Sequence, residues 1–454
     1  MAAWVWAAAA NAKQTAGSTI MSTTRSRGMS LPRIHERQRG AVAIIVGLMI
    51  VVLVGFIGLA LDLGKLYVSK SELQNRADSC ALAAARDLTG ATPLTVSEAA
   101  GLTAAARNLV LFQGNLEKQP NITSAETVTY SDSLADPFLD KNSVTYALNT
   151  IKYVKCDVSR GNIANWFAQV LNAIPGIHIG ANTVGAFAVA TTTSAQTTCA
   201  IPVYICRPDT ATPAVPGGYT IGQWLTAKIG TSGGGVYGGG NFGWADLSGG
   251  KGNTPALDTQ LQGAGQCNLP ALNTQIGTTG NKASLADAWN SRFGITTNKT
   301  TGVTDFTGFA YTSTTWTAQS NAYNGTSTDS KGTSQPNFLA ARKAYQPYQG
   351  DSVTGLSTKG TAASQATYQA GADRRLVLAP IVDCSTFSTP GTHQANVTGW
   401  ACVLMVDPMQ QGGNIDTVHL EYRGDSSLPG SPCATQGMPG ASTGVGPLVP
   451  VLVQ

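Results

Sequence analysis

Two stretches of the chain have the residue pattern of a serine-hydrolase nucleophile. The pattern G-x-S-x-G occurs around Ser232 and again around Ser442. Such a serine needs an apolar strand before it and a helix after it, which together hold its hydroxyl in a sharp turn. Neither serine has these flanks, and 51 glycines in 454 residues make chance matches common. We therefore expect no nucleophile at either position.

The histidines and neighbouring carboxylates do not form a more convincing catalytic set. His178 and His419 alternate with apolar residues, as surface or edge positions of strands do, and His393 lies in a turn-like stretch. Asp132 and Asp136 lie in a polar loop, where solvated carboxylates are more common than catalytic pairs. The residues thus predict a protein that is not an enzyme, with no cofactor and no small-molecule substrate.

Cysteine usage indicates an oxidising compartment. All eight cysteines lie beyond residue 61: Cys80, Cys156, Cys199, Cys206, Cys267, Cys384, Cys402 and Cys433. An even set of this kind predicts up to four disulfides, and the sequence leaves their pairing open. Cys199–Cys206 and Cys384–Cys402 are the expected local pairs. No C-x-x-C or His/Cys cluster occurs, so we expect no metal site.

The first structural element that the sequence predicts is a long apolar segment near the N-terminus. Residues 41–61 contain no charged or strongly polar side chain. At about 1.5 Å per residue such a helix is about 30 Å long, the thickness of the hydrocarbon core of a bilayer. The stretch therefore predicts a single transmembrane helix over 41–61.

The charge distribution predicts the orientation of this span. Residues 1–40, a basic leader, carry a net charge of +5, whereas the remaining residues carry about −1. By the positive-inside rule the leader is cytoplasmic and the main domain is exported across the membrane. A near-neutral exported part lacks the concentrated basic face of a nucleic-acid-binding protein.

A helical pattern continues beyond the span without a break. An apolar stripe recurs at spacings of three, four or seven residues: Leu63, Leu66, Leu73, Ala77, Cys80, Ala84 and Leu88. This spacing predicts one helix of nearly fifty residues, whose second half packs on a domain. Gly90 is suited to end it, because glycine readily adopts the left-handed conformation that follows helices.

The same residues carry a family resemblance. The Arg39-Gly40-Ala41 junction, the apolar span, the Asp62-Leu63-Gly64 exit and the E-L-Q-N-x-A-D run occur in one order. The run comprises Glu72, Leu73, Gln74, Asn75, Ala77 and Asp78. This region resembles the N-terminal region of the TadE/TadG-like proteins of the tight-adherence (Flp) pilus system. The resemblance implies a pilin-like component or assembly factor, with the inner membrane, other pilin-like subunits and assembly platform proteins as partners.

The chain departs from the family pattern at two places. Prepilins of this system are cut after a glycine and have glutamate at the fifth mature position, which counted from Gly40 is Ile45. Some members also carry a von Willebrand A domain with a D-x-S-x-S metal loop. The nearest stretch here, from Asp246 to Gly250, lacks the second serine. We therefore do not infer peptidase processing or metal-dependent adhesion from the resemblance.

Small residues within the span allow two interpretations. Ala43 and Gly47 are four residues apart, and Gly58 lies on nearly the same helix face. Small residues let helices approach closely in lipid, which favours packing against other pilin-like spans or the assembly platform. Ordinary glycine usage in transmembrane helices explains them equally well.

The remaining pattern predicts an α+β fold: a long N-terminal helix packed on a mixed or antiparallel sheet, with a loop-rich insert. Short helices are predicted over 97–112 and 162–174, and strands over 127–130, 144–156 and 178–193. The predicted regions are a leader (1–40), a span (41–61), a helix-led pilin-like domain (62–206), a Gly/Thr/Ser-rich insert (207–370), C-terminal strands (371–426) and a Pro/Gly-rich tail (427–454).

The C-terminal strands are a second point of resemblance. Buried-strand runs follow Asp373-Arg374-Arg375 and lead to Asp407-Pro408, as in the C-terminal part of TadG-type proteins. We hypothesise that the insert separates two halves of one sheet system. Trp316, Tyr345 and Tyr348 are expected in a core.

These observations together predict a non-enzymatic component of Flp pilus assembly, either a minor pilin-like subunit or an envelope anchor. One alternative is a surface adhesin that makes contact through residues 207–370. Another is a membrane-anchored periplasmic hydrolase using Ser232 or Ser442.

Overall fold

The structure, a computed structural model, describes most of the chain from residue 39 onward. The described residues are 39–108, 124–173, 175–207, 218–228, 243–249, 252–384, 394–411, 417–440 and 444–453. Ser232, His393, Ser442 and nearly all of the leader lie outside them. The helices are α1 (Arg39–Arg86), α2 (Leu94–Arg107), α3 (Thr254–Gln262), α4 (Ala286–Ser291), α5 (Phe338–Lys343), α6 (Asp351–Thr354) and α7 (Gln365–Gln369).

Helix α1 confirms the prediction of one continuous helix. It contains 48 residues, and the chain divides within it, between Leu61 and Asp62, into two units. In the first unit the apolar side chains are exposed from Val42 to Ile57. In the second unit one face of the helix is buried, including Leu73 and Ala77. Within the described part of the chain, α1 alone is long and apolar enough to cross a membrane.

The second half of α1 and helix α2 cover an antiparallel sheet, here called the first sheet. Its strands are β1 (Ser124–Ser131), β2 (Leu139–Asp140), β3 (Tyr153–Ile163), β4 (Asn182–Thr197), β15 (Ala434–Pro439) and β16 (Leu448–Leu452). The strand order is β15-β4-β3-β1-β2, and β16 also pairs with β4. Buried residues alternate along β3, because successive side chains of a strand point to opposite faces. One face therefore packs against the helices.

A second sheet is built around the C-terminal strands. It contains β5 (Ile205–Cys206), β6 (Trp224–Lys228), β7 (Gln275–Ile276), β12 (Leu376–Val382), β13 (Ala395–Met405) and β14 (Val418–Asp425). The order is β5-β12-β13-β14-β6, with β7 beside β13, and only the β5–β12 pairing is parallel. Two further ribbons pair β8 (Ile295–Thr296) with β11 (Thr361–Ala362) and β9 (Ser327–Thr328) with β10 (Ser334–Gln335).

The second sheet is buried on both faces. Val377, Ala379 and Ile381 of β12 belong to one apolar cluster, together with Trp244 and Trp289 of the insert. The alternate residues of β12 belong to another cluster, which the insert completes with aromatic side chains. Coverage of both faces explains why β12 reads as an unbroken apolar run. The mixed and antiparallel sheets with a long helix confirm the predicted α+β class.

The hypothesis of one interrupted sheet is wrong. Strands β1 to β4 form the first sheet, whereas β12, β13 and β14 form the second with β5, at the end of the 62–206 region, and with short strands of the insert. The tail, not the C-terminal strands, returns to the first sheet through β15 and β16. Trp316 and Tyr348 are buried, as predicted, and Tyr345 is half-buried.

The predicted helix over 162–174 is also wrong. Residues 162–163 end β3, where Asn162 has a left-handed φ of 57°, and only Ala168–Ala173 form a short 3-10 helix. Ile163 is buried as the last residue of β3, whereas Trp166, Phe167 and Val170, at helical spacing from it, are exposed rather than packed on a core. In this stretch the spacing did not reflect burial in the protein.

All eight cysteines are bonded, but neither expected local pair forms. The observed disulfides are Cys80–Cys156, Cys199–Cys267, Cys206–Cys384 and Cys402–Cys433. Cys199 and Cys206 cannot meet because the residues between them run along β12, and extended chain advances about 3.3 Å per residue. Cys402 lies opposite Leu378 in the sheet, six residues from Cys384 along an extended strand. The disulfide pairs are therefore determined by which strands lie side by side and not by closeness in sequence.

Candidate functional site

Asp62, the first charged residue after the apolar run, holds a distant segment of the chain. Its buried carboxylate accepts backbone hydrogen bonds from Trp166, Phe167 and Ala168 at 2.8, 3.0 and 2.7 Å. Hydrogen bonds to an ionised acceptor are about twice as strong as neutral ones. Asp62 therefore fixes the start of the short 3-10 helix to α1.

Lys65, almost one turn further along α1, holds the same segment from its other side. Its Nζ atom donates to the Ala164 carbonyl at 3.0 Å and lies 4.4 Å from the centre of the Trp166 ring. A cation over an indole face is attracted by the negative potential of the ring. The two charged residues of the helix thus set both the backbone and the ring orientation of the segment.

The E-L-Q-N-x-A-D run joins α1 to the first sheet. Leu73 and Ala77 are fully buried in the core beneath the helix. Gln74 donates from Nε2 to Asp78 at 2.8 Å and to the Phe187 carbonyl of β4 at 3.0 Å. Gln74 therefore binds the backbone of β4, while the apolar residues Leu73 and Ala77 fill the core.

The other residues of the resemblance have simpler surroundings. Gly40 lies in the first turn of α1, and Gly64 has open space where a Cβ atom would stand. Asn75 is exposed and Glu72 is half-buried. Ala43 and Gly47 are exposed, whereas Gly58 has little exposed surface, so their proposed packing role stays a prediction.

A buried ion pair that was not predicted from the sequence lies on the same face of α1. Arg76 pairs with Glu126 of β1 and donates from Nη1 to the Asn108 carbonyl at 3.0 Å. Arg160 is buried nearby, and burial together with the charge of Arg76 lowers its pKa. The pair could not be read from the sequence because its partners are fifty residues apart.

Arg375 forms a second buried charge centre, in the second sheet. Its Nε and Nη2 atoms donate to the Met405 carbonyl at 3.0 and 2.8 Å. Its Nη1 atom donates to the Thr307 and Phe309 carbonyls at 3.1 and 2.9 Å. The guanidinium lies 4.1 Å from the centre of the Phe293 ring. Burial lowers the pKa of Arg375, and the acceptors of its side-chain hydrogen bonds are neutral carbonyls.

Two more arginines hold the C-terminal end of α3. Arg292 donates to the Leu261 and Gly263 carbonyls at 2.9 and 3.1 Å. Arg374 donates to the carbonyls of Leu261, Gln262 and Gly263 at 2.8, 2.9 and 2.7 Å. The last carbonyls of a helix have no partner within it and carry partial negative charge, so cations stabilise them.

Asp305 completes this arginine centre. Its carboxylate accepts backbone hydrogen bonds from Arg374 and Arg375 at 2.8 and 2.9 Å and from Thr307 at 3.1 Å. The Asp-Arg-Arg stretch thus organises the packing of the insert on β12. The sequence showed the stretch but not this role, because the partners are mostly backbone carbonyls.

A His–Asp pair lies between β14 and the loop after β13. The Nδ1 atom of His419 is 2.6 Å from Oδ2 of Asp407, and its backbone N–H donates to Oδ1 at 2.8 Å. Burial lowers the pKa of His419, but the Asp407 carboxylate outweighs this and the net pKa is raised. Burial raises the pKa of Asp407. His419 is in a strand, as predicted, but not at a sheet edge.

This pair should make stability fall as the pH rises. Because the folded-state pKa of His419 is raised, the pair contributes fully to the free energy of unfolding below about pH 6.5, the unfolded-state pKa. This contribution is lost as the pH rises through the folded-state pKa. The side chain is 36% exposed, so we expect a loss below about 1 kcal/mol in the free energy of unfolding. Denaturant titrations at pH 6, 7.5 and 9 measure it.

The variant His419→Gln should flatten this pH dependence, whereas His178→Gln, at an exposed position, should leave it unchanged. Wild type and His419→Gln with parallel pH profiles would contradict the assignment.

The other predicted chemical residues that the structure describes lie in loops of their own. Asp132 is half-buried and Asp136 exposed, both in the turn after β1. Asp246 uses its carboxylate within its own loop, accepting from Ser248 Oγ at 2.7 Å and from the Gly252 N–H at 2.8 Å. Among the residues that the structure describes, no three His, Cys, Asp or Glu side chains are grouped to hold a metal.

Comparison with known proteins identifies the helix of this site. Residues 40–87 match the Flp pilus-assembly TadE/G-like family, and the match covers α1 almost end to end. The chain matches no curated protein and no solved structure significantly. The residues that the match contains include Asp62, Lys65 and the E-L-Q-N-x-A-D run, which are those that bind α1 to the domain. The match thus identifies the N-terminal segment, residues 40–87 of a chain of 454, as similar to the TadE/G-like family of Flp pilus-assembly proteins.

Proposed function

We propose that this protein is a non-enzymatic, membrane-anchored component of Flp pilus assembly. Helix α1 crosses the inner membrane once, the N-terminus is cytoplasmic, and the domain that begins at Asp62 is periplasmic. The protein acts as a minor pilin-like subunit or as an anchor between the pilus base and the envelope. Its partners are other pilin-like subunits and the assembly platform.

The observation that carries the proposal is the structure of the matched segment. One helix has exposed apolar side chains over its first half and a face buried on a sheet over its second half. Exposed apolar surface of this length is unfavourable in water and favourable in lipid. The helix is therefore suited to carry a folded domain out of a membrane and to pack beside similar helices within it.

The disulfides and charges support the proposed orientation. Four disulfides lie in the part of the chain beyond the apolar run, and such bonds persist in oxidising compartments such as the periplasm. The basic leader precedes the run, as expected for a cytoplasmic end.

The structure changes how the adhesin alternative can be tested. Residues 207–370 supply β6 to the second sheet and Trp244 and Trp289 to its core. Deletion of the insert would therefore expose the core of β12 and β13, and a loss of attachment would then report misfolding. Substitution of exposed residues such as Val303 and Val353 is the informative design.

The proposal is tested with paired substitutions in the span. In a strain that lacks the gene, wild-type protein should resist alkaline extraction from membranes and restore Flp pili. Ile50→Arg with Val54→Arg places two charges at the helix centre, each costing about 2.5–3.5 kcal/mol of insertion. This double variant should leave the membrane fraction and fail to restore pili.

The matched control is Ile50→Leu with Val54→Leu, which should behave like the wild type. Normal piliation without the gene would overturn the assembly role. Recovery of the wild-type chain in the soluble fraction, with reduced thiols, would overturn the anchor.

A further inference from the structure

We propose that residues Trp166–Val170 form a membrane-surface contact, here called the interfacial segment. Its three apolar side chains enter the headgroup region of the periplasmic leaflet, beside the point where α1 leaves the lipid. The inference rests on the proposed function, because it requires α1 to cross the membrane.

The first argument is position along α1. Asp62 directly follows Leu61, the last residue of the apolar run, and its carboxylate binds the backbone of the segment at 2.7–3.0 Å. Headgroup regions extend about 5–8 Å beyond the hydrocarbon core on each side. A segment bonded to the first residue after the span lies at that depth.

The second argument is exposure. Trp166, Phe167 and Val170 are 68%, 41% and 69% exposed, although the backbone of Trp166 and Phe167 is held by the buried carboxylate of Asp62. The protein thus fixes three large apolar groups outside its core. Tryptophan is enriched where membranes meet water, because its ring is apolar and its N–H is polar.

The third argument is charge. Residues 164–181 contain no Asp, Glu, Lys or Arg. Lys65 places a cation against the segment, and its Nζ atom is already engaged with Ala164 and the Trp166 ring. Transfer of a segment without these charges into a headgroup layer costs little desolvation free energy, and its binding does not require anionic lipid.

Exposed residues of α1 extend this apolar surface beyond the end of the span. Leu63 is 56% exposed and Tyr67 is 78% exposed. At about 1.5 Å per residue, Tyr67 lies about 9 Å beyond Leu61, at the outer limit of the headgroup layer. The contact therefore begins where the span ends, which favours lipid over a protein partner as the occupant.

The test uses the full chain in phosphatidylcholine vesicles, with and without a nitroxide on the lipid headgroup. Trp166 is one of eight tryptophans, so the difference in emission between wild type and Trp166→Phe isolates its signal. We expect the headgroup nitroxide to remove most of that difference. The corresponding difference for Trp224→Phe, a residue of the second sheet, should be unaffected.

Asp62 should act as the positioning residue. In an Asp62→Ala background the Trp166 signal should escape the nitroxide, and Asp62→Asn, which keeps one oxygen acceptor, should restore part of the quenching. An intact Cys80–Cys156 bond by mass spectrometry verifies that the domain still folds.

Failure of the inference can be told apart from failure of the proposed function. A chain that resists alkaline extraction from the vesicles but has an unquenched Trp166 overturns the interfacial segment alone. A chain that does not remain with the vesicles overturns the membrane anchor as well. Quenching that persists after Asp62→Ala would overturn the role of Asp62.

Discussion

Replacement of Arg375 by methionine should destabilise the second sheet severely. Methionine has a similar length, but it leaves the carbonyls of Met405, Thr307 and Phe309 without their donors. Each buried unsatisfied acceptor costs about 1–3 kcal/mol, and Asp305 also loses a nearby positive charge. We therefore expect a loss of about 5 kcal/mol or more in the free energy of unfolding. Denaturant titration of the oxidised chain in detergent measures it.

The matched control is Arg342→Met. Arg342 pairs with Asp373 near the surface, where the two side chains are 28% and 47% exposed. Exposed ion pairs contribute about 0–1 kcal/mol, so this variant should unfold close to the wild type. Similar unfolding midpoints for the two variants would show that the buried guanidinium of Arg375 contributes no more to stability than the one of Arg342 near the surface.

The prediction of α1 succeeded because two signals agree along it. An uncharged run long enough to span a bilayer leads into an apolar stripe at helical spacing. The two patterns require one backbone conformation without a break. Local spacing is therefore sufficient to predict a helix of this length.

The second sheet could be predicted only in part. The apolar runs of β12 and β13 indicate buried strands, but not which elements cover them. The covering residues belong to a Thr- and Gly-rich region with few aliphatic runs. Its tryptophans, such as Trp244 and Trp289, are too widely spaced to show a period. Burial there is decided by tertiary contacts that no local pattern records.

The buried charges show the same limit. Arg374 and Arg375 bind mainly backbone carbonyls, which are present at every residue and leave no signature in the sequence. The exposed Trp166 and Val170 show the converse error, since their helical spacing suggested a helix packed on a core. Their segment is held instead by backbone hydrogen bonds to Asp62.

Removal of the Cys80–Cys156 bond should have the second large effect. The bond joins α1 to β3 across 76 residues, and its Cα atoms are 6.1 Å apart. A cross-link over a loop of this length reduces the entropy of the unfolded chain by an amount equivalent to about 4 kcal/mol. In Cys80→Ala with Cys156→Ala we expect a loss of that size in the free energy of unfolding.

The location of this loss separates it from a general effect of removing disulfides. Both sulfurs lie in the core between α1 and the first sheet, so hydrogen exchange should accelerate at Leu73–Arg86 and in β3. The amides of β12 and β13 should stay protected, since those strands have separate cores. Cys402→Ala with Cys433→Ala, which opens a separation of 31 residues, should instead loosen β13 and β15. Equal acceleration in both sheets for Cys80→Ala with Cys156→Ala would mean that the two cores unfold as one, and that this disulfide does not specifically hold α1 on its sheet.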